Sequence, residues 1–399
     1  MFKKLNLLVN TSLIFFLIYD INFKFIPSVT TGRIVILYLI LTNLKELPRI
    51  FKQFGFLFKV CLLLLFIAFI ESLFSEDFTQ FSRFLFFILY SLLGSGLILH
   101  KIKDKQMLLK SILLATSIQS LILIYGFFNP SLKIFFDSII FFGANFSSEN
   151  LYRALGLSSS SGAALSLVQS LGVGVGLIYL GDKKTKNKSI VVILIIICII
   201  STIFIGRTGL LLSLLFLGTY MYYTVSLKKI MIYLLFTFLF VFSSLTLSKV
   251  FTSQLNSIEG FSSEYFVNWL SDAFVVKDNK TVNALLYKQN IPELTLKLFF
   301  LGTGTIAING INTSGHDSGF IQTYYSIGLI FTFIFYFSFI YYIVRKFSYS
   351  LGLIKTTLLC VIILGLEFKE PLLFKYVEGF FIMTILFLFK KNKRNEVIY

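Results

Sequence analysis

The chain has 399 residues, of which 56% are hydrophobic and 14% are charged, with a net charge of +17. Soluble domains carry roughly 25% charged residues, so this composition excludes a soluble enzyme with a water-facing surface on all sides. The apolar runs do not alternate with polar residues, which predicts an all-α, polytopic membrane helical bundle and excludes a transmembrane β-barrel. Most Lys and Arg residues form short clusters between apolar runs, which favours membrane lipids over nucleic acid as the partner.

Hydropathy predicts about twelve membrane-spanning helices in a single membrane domain, 1–399. In chain order the predicted spans are 5–20, 32–44, 56–74, 81–99, 107–128, 157–180, 189–205, 208–226, 230–248, 319–344, 351–366 and 372–389. Every second connector is basic, from Lys3 and Lys4 at the beginning to Lys390 and Lys391 at the end. This alternation follows the positive-inside rule, so we expect both termini to be cytoplasmic.

Two connectors on the predicted outer side are long, 129–156 and 249–318. In the second, the aromatic residues of 262–274 fall near one helical face, which predicts a short helix on the membrane surface. Long loops of this kind are usually functional rather than connective. The large extracytoplasmic loop, with its short helices, is therefore where the sequence predicts a site.

His316 is the one histidine predicted to lie away from the cytoplasmic face, just before a membrane span. An imidazole with a pKa of about 6.5 can take a proton from a hydroxyl group at neutral pH. The neighbouring Gly315 and Gly319 let the backbone approach a substrate. A solvated loop histidine is the alternative, but the position of His316 at the mouth of a span favours a catalytic role.

Arg153 and Arg207 lie at the outer ends of predicted spans, where arginine is uncommon. The guanidinium group presents a planar fork of donors that suits phosphate oxygens. Snorkelling to outer-leaflet headgroups is the alternative for each arginine taken alone. Together with His316, the two arginines predict an anion site with a base.

Other polar residues support this prediction less directly. Glu378 is expected about two turns inside the last span, where a carboxylate needs a partner such as one of the arginines. Tyr324, shortly after His316, is expected to line a sugar site. Asp20 and Glu71, at other outer ends, are expected to be solvated, and Ser158 is expected to be the most exposed residue of the SSSSG run at 158–162.

Neither a metal nor a cofactor is expected. Cys61, Cys198 and Cys360 each lie inside an apolar run, which is typical of buried packing residues rather than of ligands. Gly172, Gly174 and Gly176 form GVGVG deep in a predicted span, and close helix packing explains them better than a nucleotide loop.

Three segments resemble the O-antigen polymerase and ligase family of membrane glycosyltransferases, the Wzy-like and WaaL-like proteins. They are RALGL at 153–157, GRTG at 206–209, and GTG at 302–304 followed by His316-Asp317 and by GLI at 328–330. The order of these motifs, and their predicted side of the membrane, carry the resemblance across nearly the whole chain.

The resemblance implies a polysaccharide repeat-unit polymerase for O-antigen or capsule. It would transfer a growing glycan from undecaprenyl pyrophosphate to the next lipid-linked repeat unit, with inversion, without metal or cofactor, on the outer face of the bacterial inner membrane. Arg153 and Arg207 would hold the pyrophosphate and His316 would activate the acceptor hydroxyl. Asp317 stands where many relatives have Asn and would orient His316, and Lys280 would replace a loop arginine. A flippase and a chain-length regulator are the protein partners expected.

Two other functions stay open at this point. A ligase of the same family would share the site and transfer the glycan to lipid A core instead. A lipid-linked sugar flippase or another transporter would need charged groups near the bilayer midplane, whereas here they cluster at the outer ends of the predicted spans. The Ile-, Phe- and Lys-rich composition fits the divergent polymerases better than the ligases, so polymerase is preferred.

Overall fold

The computed structural model describes residues 2–26, 29–141, 156–160, 162–224, 293–308, 311–316 and 318–388. Over these ranges the chain is helical, except for one hairpin of two short strands and the connecting turns. Contacts divide the chain into two compact units. Unit 1 comprises Met1–Thr31 and Gln106–Gln289, and unit 2 comprises Gly32–Lys105 and Asn290–Tyr399.

Sixteen α-helices lie within the described ranges. They are α1 (Phe2–Tyr19), α2 (Thr31–Thr42), α3 (Leu47–Phe54), α4 (Phe56–Ser75), α5 (Thr79–Phe86), α6 (Ser95–Lys101), α7 (Lys105–Phe128), α8 (Pro130–Ile139), α9 (Gly162–Gly181), α10 (Lys188–Ile205), α11 (Arg207–Thr224), α12 (Leu296–Phe300), α13 (Gly319–Ile327), α14 (Leu329–Leu351), α15 (Leu353–Lys369) and α16 (Tyr376–Leu388). A short 3-10 helix, Leu44–Glu46, precedes α3, and a π-helical segment, Phe87–Gly94, joins α5 to α6. Strands β1 (Ala307–Ile308) and β2 (Ile311–Asn312) pair antiparallel.

Six of the described helical segments are long and apolar enough to cross a membrane. They are Phe56–Ser75, Thr79–Lys101, Lys105–Phe128, Gly162–Gly181, Lys188–Ile205 and Leu329–Leu351. Three shorter apolar stretches are Leu5–Tyr19, Thr31–Thr42 and Val377–Leu388. All nine overlap predicted spans, so the all-helical membrane class agrees with the structure. The number of about twelve stays a prediction, and the span 230–248 and the surface helix 262–274 lie outside the described residues.

The predicted span 319–344 is wrong as a single helix. Gly328 separates α13 from α14 and has a φ of +84°, a conformation that side-chain-bearing residues rarely adopt. A Cβ atom at this position would also lie 2.9 Å from the backbone of Phe300 and Leu301. The helix that is long and apolar enough to cross a membrane therefore begins at Leu329, and α13 is a separate short helix that precedes it.

Glycines bring the helices of unit 1 close together. A Cβ at Gly172 would lie 2.6 Å from the side chain of Thr116 on α7, and one at Gly176 would lie 2.7 Å from Ile195 on α10. The predicted packing role of the GVGVG run is confirmed. Helix α9 nevertheless begins at Gly162 rather than at 157, because the segment before it is irregular. Ser158 in that segment is only 1% exposed, so its predicted exposure is wrong.

The connector predicted as 129–156 begins as a helix. Asn129 caps α8 by accepting a hydrogen bond from the amide of Leu132 at 3.2 Å, and Pro130 occupies the first helical position. At the other end of α8 the carbonyl of Ile139 accepts from the amide of Lys24 at 2.9 Å. Both partners belong to unit 1, so this part of the predicted loop is an ordered helix. Residues 142–155 lie outside the described ranges.

Candidate functional site

The sequence-predicted site residues are distributed over both units. Arg153, Lys280 and Asp317 lie outside the described residues. Arg207 belongs to unit 1, whereas His316, Tyr324 and Glu378 belong to unit 2. The predicted convergence of Arg153, Arg207 and His316 stays a prediction.

Three connectors meet at one end of unit 2. The amide of Ile306 donates to Oγ1 of Thr79, at the start of α5, at 3.2 Å. Gly319, the first residue of α13, lies against Glu367 in the last turn of α15 and Pro371 of the α15–α16 connector. We call this region, 71–83 with 302–308, 311–316, 318–319 and 367–378, the polar end of unit 2. All three connectors were predicted on the outer side of the membrane, and that placement stays a prediction.

His316 is buried in this polar end, with 5% of its surface exposed. The backbone amide of Ser318 donates to Nδ1 of the ring at 3.0 Å, and Nε2 of Gln322 donates to the His316 carbonyl at 3.0 Å. These contacts hold the ring against the start of α13, so His316 is not a solvated loop histidine. Because an amide can only donate, Nδ1 carries the lone pair, and the proton of the neutral ring is on Nε2.

Glu367 is the centre of a buried polar cluster beside His316. Its side chain is fully buried and accepts hydrogen bonds from Oη of Tyr336 at 2.6 Å and from the amide of Leu373 at 2.8 Å. Thr323 on α13 is within 3.3 Å of the same Tyr336 hydroxyl. Helices α13, α14 and α15 therefore share one hydrogen-bonded cluster. The hydrophobic pattern of each helix taken alone does not predict this cluster.

Arg83 adds a positive charge to this cluster. Its guanidinium carbon lies 4.0 Å from the centroid of the Phe374 ring, and the group interacts electrostatically with Glu367 and Tyr336. Both terminal nitrogens are buried and make no hydrogen bond to the described residues. Sequence reasoning did not select Arg83, although an arginine just inside the predicted span 81–99 is a recognisable signal of a functional or paired charge.

Three carboxylates differ from their predictions. Glu378 lies in the first turn of α16 rather than two turns inside a span, because that helix begins only at Tyr376. Glu378 is 2% exposed and lies near Lys375, and its pairing with Arg153 or Arg207 stays a prediction. Asp20, predicted to be solvated, is 3% exposed, and both carboxylate oxygens of Glu71 are buried. Other segments pack over these side chains and bury them, which the sequence around each residue does not indicate.

A cavity of about 550 Å³ opens beside the cluster, at the break between α13 and α14. Its lining is mainly apolar and consists of Glu293, Leu294, Phe320, Ile321, Tyr324, Leu329, Thr332, Phe333 and Tyr336. Tyr336 belongs to both features, since its ring lines the cavity while its hydroxyl donates to Glu367. Tyr324 lines this largely apolar cavity, and its predicted place in a sugar site stays a prediction.

In unit 1 the GRTG motif, 206–209, packs one helix against another. Gly206 ends α10, and the half-buried Arg207 begins α11. The amide of Gly209 donates to Oγ of Ser166 on α9 at 3.2 Å, and a Cβ at Gly209 would lie 2.7 Å from the Cβ of Ser166. The glycines of this motif therefore allow α9 and α11 to pack closely, and this packing fixes the position of Arg207 at the start of α11.

Sequence reasoning also missed a line of buried polar side chains in unit 1. Nε2 of Gln169 donates to the hydroxyl of Tyr19 at 3.1 Å, and Oε1 of Gln169 accepts from Ser120 at 3.1 Å. Ser120 in turn accepts from Ser201 at 3.0 Å. These bonds join α1, α7, α9 and α10, and in an apolar surrounding such bonds help to set helix partners. Polar residues spaced along four separate apolar runs gave no sequence signal that they meet.

No protein-family model matches the chain, and no curated protein matches it either. What the fold and the site define is therefore a class: a helical protein with several helices able to cross a membrane and a buried polar cluster around His316 and Glu367. Beside that cluster lies an open, largely apolar cavity.

Proposed function

We propose that the chain is a membrane glycosyltransferase that polymerises the repeat units of a bacterial polysaccharide. It transfers a growing glycan from undecaprenyl pyrophosphate to the next lipid-linked repeat unit. The protein resides in the bacterial inner membrane with about twelve spans, cytoplasmic termini and its site on the outer face. The six membrane-length helices, the alternation of basic connectors and the motif resemblance support this proposal.

The single observation that carries the proposal is the double use of helix α13. At its start, Ser318 holds the buried ring of His316, and within one to two turns Phe320, Ile321 and Tyr324 line the apolar cavity. A lipid-linked sugar combines a long hydrocarbon chain with a polar head. One short helix that offers an apolar wall and a titratable ring suits such a substrate better than a free sugar or an ion.

The chemistry needs few groups. An oxygen of the acceptor hydroxyl forms a bond to the anomeric carbon, while the bond from that carbon to the pyrophosphate oxygen breaks and its electron pair leaves with the lipid pyrophosphate. The hydroxyl proton passes to His316. Arg153 and Arg207 offset the charge that develops on the leaving group. Attack from the opposite face inverts the anomeric centre.

The hydrogen bond at His316 sets a condition on this step. The lone pair of the neutral ring is on Nδ1 and already accepts from the Ser318 amide. The acceptor hydroxyl must therefore displace that amide, or the ring proton must first move from Nε2 to Nδ1 so that Nε2 becomes the base. Catalytic hydrogen bonds of a free enzyme commonly rearrange in this way when substrate binds.

The test is complementation of a host strain that lacks the gene for this chain. Wild-type protein should restore long glycan chains on a gel of the surface polysaccharide, whereas His316→Gln should leave single repeat units. His100→Gln is the matched control, because His100 lies on α6, at an end predicted to be cytoplasmic, and should leave polymer length unchanged. Immunoblots of membrane fractions check that the variants are present at equal levels.

Three results would contradict the proposal in different ways. Normal polymer from His316→Gln would remove the catalytic assignment. Full-length chains that fail to reach lipid A in the deletion strain would identify a ligase instead. Loss of exported single repeat units in that strain would identify a flippase or another transporter.

A further inference from the structure

We propose that Glu367 is a positioning residue that determines which nitrogen of His316 carries the proton. The part of this inference that concerns catalysis rests on the proposed function. The part that concerns the ring itself rests only on contacts within unit 2 and can be measured without an activity assay.

The first step is the contact between His316 and the start of α13. Ser318 precedes the first residue of α13, and its backbone amide donates to Nδ1 of His316. The amide has no freedom of its own, since its direction is set by the path of the chain into the helix. A shift of the first turn of α13 would lengthen this 3.0 Å bond and leave the ring free to protonate at either nitrogen.

The second step is the contact between α13 and Glu367. Gly319 follows Ser318, and a Cβ atom on it would collide with Oε1 of Glu367 and lie 2.7 Å from the Cα of Pro371. The helix start is thus in van der Waals contact with the carboxylate, with no room for even a methyl group. The position of Glu367 therefore limits the position of the Ser318 amide.

The third step is the fixation of Glu367 itself. One carboxylate oxygen accepts from Tyr336 and the other from the amide of Leu373, at 2.6 and 2.8 Å. Arg83 and Lys375 are the cations that face it electrostatically. Both oxygens are occupied in fixed directions, so the carboxylate does not rotate away when α13 presses on it. An outer group that orients a functional imidazole in this way commonly sets its tautomer.

The consequence is a chain of contacts from Glu367 through Gly319 and Ser318 to Nδ1 of His316. In the intact protein the neutral ring is held as the Nε2–H form. A change at Glu367 or Gly319 should release the Ser318 contact and produce a mixture of the two neutral forms. Glu370 provides a matched control, because it lies three residues further on and its carboxylate pairs with Lys375 at 2.6 Å.

The experiment is nitrogen-15 NMR of the full chain in detergent micelles, with only histidine labelled. The chain has two histidines, so the spectrum has two sets of ring signals, and His100→Gln assigns them. At a pH well above about 6.5, where a free histidine is neutral, wild-type His316 should show one protonated Nε2 and one unprotonated Nδ1. The variants Glu367→Gln and Gly319→Ala should shift both signals toward the averaged values of a tautomer mixture, and Glu370→Gln should not.

Two observations would overturn the inference: a wild-type ring that is protonated at Nδ1 or already averaged, or variant signals identical to those of the wild type. Should Glu367→Gln fail to fold, Gly319→Ala decides, because it keeps the carboxylate and disturbs only the helix start. Circular dichroism of each variant establishes that it is folded before its spectrum is interpreted.

Turnover of a lipid-linked repeat unit provides the second measurement. The Ser318 bond must break in the proposed step, but a ring misplaced by about 1 Å lowers turnover by about 100-fold. Glu367→Gln should therefore still lower kcat by that order, with little change in KM. If the NMR signals respond as expected while His316→Gln still polymerises normally, the positioning inference stands and the proposed function fails. If His316→Gln abolishes polymer while the ring signals of His316 are the same in Glu367→Gln and in the wild type, the proposed function stands and this inference fails.

Discussion

Replacing Gly209 with alanine should destabilise unit 1, and the structure allows the size of the effect to be isolated. A Cβ at this position would lie 2.7 Å from the Cβ of Ser166 and would overlap the Ser166 backbone carbonyl. Backbone cannot swing aside as a flexible side chain can, so α9 and α11 must move apart. Overpacking of this kind costs about 1–3 kcal/mol.

The intrinsic preference of alanine for helices acts in the opposite direction. Alanine is favoured over glycine by about 1 kcal/mol inside a helix, which would hide part of the steric cost. Gly218 lies on the same helix α11, and a Cβ added there meets nothing within 4 Å. Gly218→Ala should therefore be neutral or stabilising, and the difference between the two variants should give the steric term of about 1–3 kcal/mol.

The assay is unfolding of the purified chain in mixed micelles, followed by circular dichroism across an SDS titration. Gly209→Ala should unfold at a lower SDS fraction than the wild type, and Gly218→Ala at the same or a higher fraction. If Gly209→Ala proves as stable as Gly218→Ala, the close contact between α9 and α11 is wrong, and with it the explanation of the GRTG motif as a packing device.

Two further predictions follow from the proposed function and its placement. Arg207→Lys keeps the charge but loses the planar donor fork, so the amount of polymer should fall well below the wild-type level. Arg345→Lys, at the predicted cytoplasmic end, is the control and should behave as wild type. Equal amounts of polymer from both variants would remove the phosphate role of Arg207. Glu76 and Lys103 lie just beyond opposite ends of the helical segment Thr79–Lys101. A cysteine introduced at Glu76 should therefore react with a membrane-impermeant maleimide in intact cells, whereas one introduced at Lys103 should react only after lysis. The reverse pattern would show that the predicted topology is inverted.

Some features of the site were readable in the sequence because their signal is local. The GVGVG run predicted close helix packing from three small residues on one helix, and Gly172 and Gly176 do abut neighbouring side chains. His316 was selected from its neighbours and its place before a span. Its burial, however, depends on the packing of surrounding segments, and its bond to the amide of Ser318 depends on the local path of the chain into α13.

Other residues gave no local signal that they would meet. Arg83, Tyr336 and Glu367 come from three widely separated parts of the chain, and none of them stands beside another in any sequence window. Asp20 and Ser158 lie next to apolar runs and were predicted to be exposed, but both are buried. The segments that contain them are in contact, since the hydroxyl of Ser159 donates to the Asp20 carbonyl. Such contacts are set by packing between distant segments.

Hydropathy located the apolar helical segments of the described residues approximately and indicated the class of protein that they form. A membrane-spanning helix requires about 20 consecutive apolar residues whose backbone groups hydrogen-bond within the helix. One continuous stretch of sequence is therefore enough to show whether this requirement is met. The tertiary structure alone decided that α13 is separate from α14, that Glu367 and Arg83 share a buried cluster, and that His316 presents its lone pair at Nδ1. The buried cluster depends on packing between segments that are distant in sequence. The contact at Nδ1 spans only two residues, but it depends on the direction of one backbone amide, which the residue types do not specify.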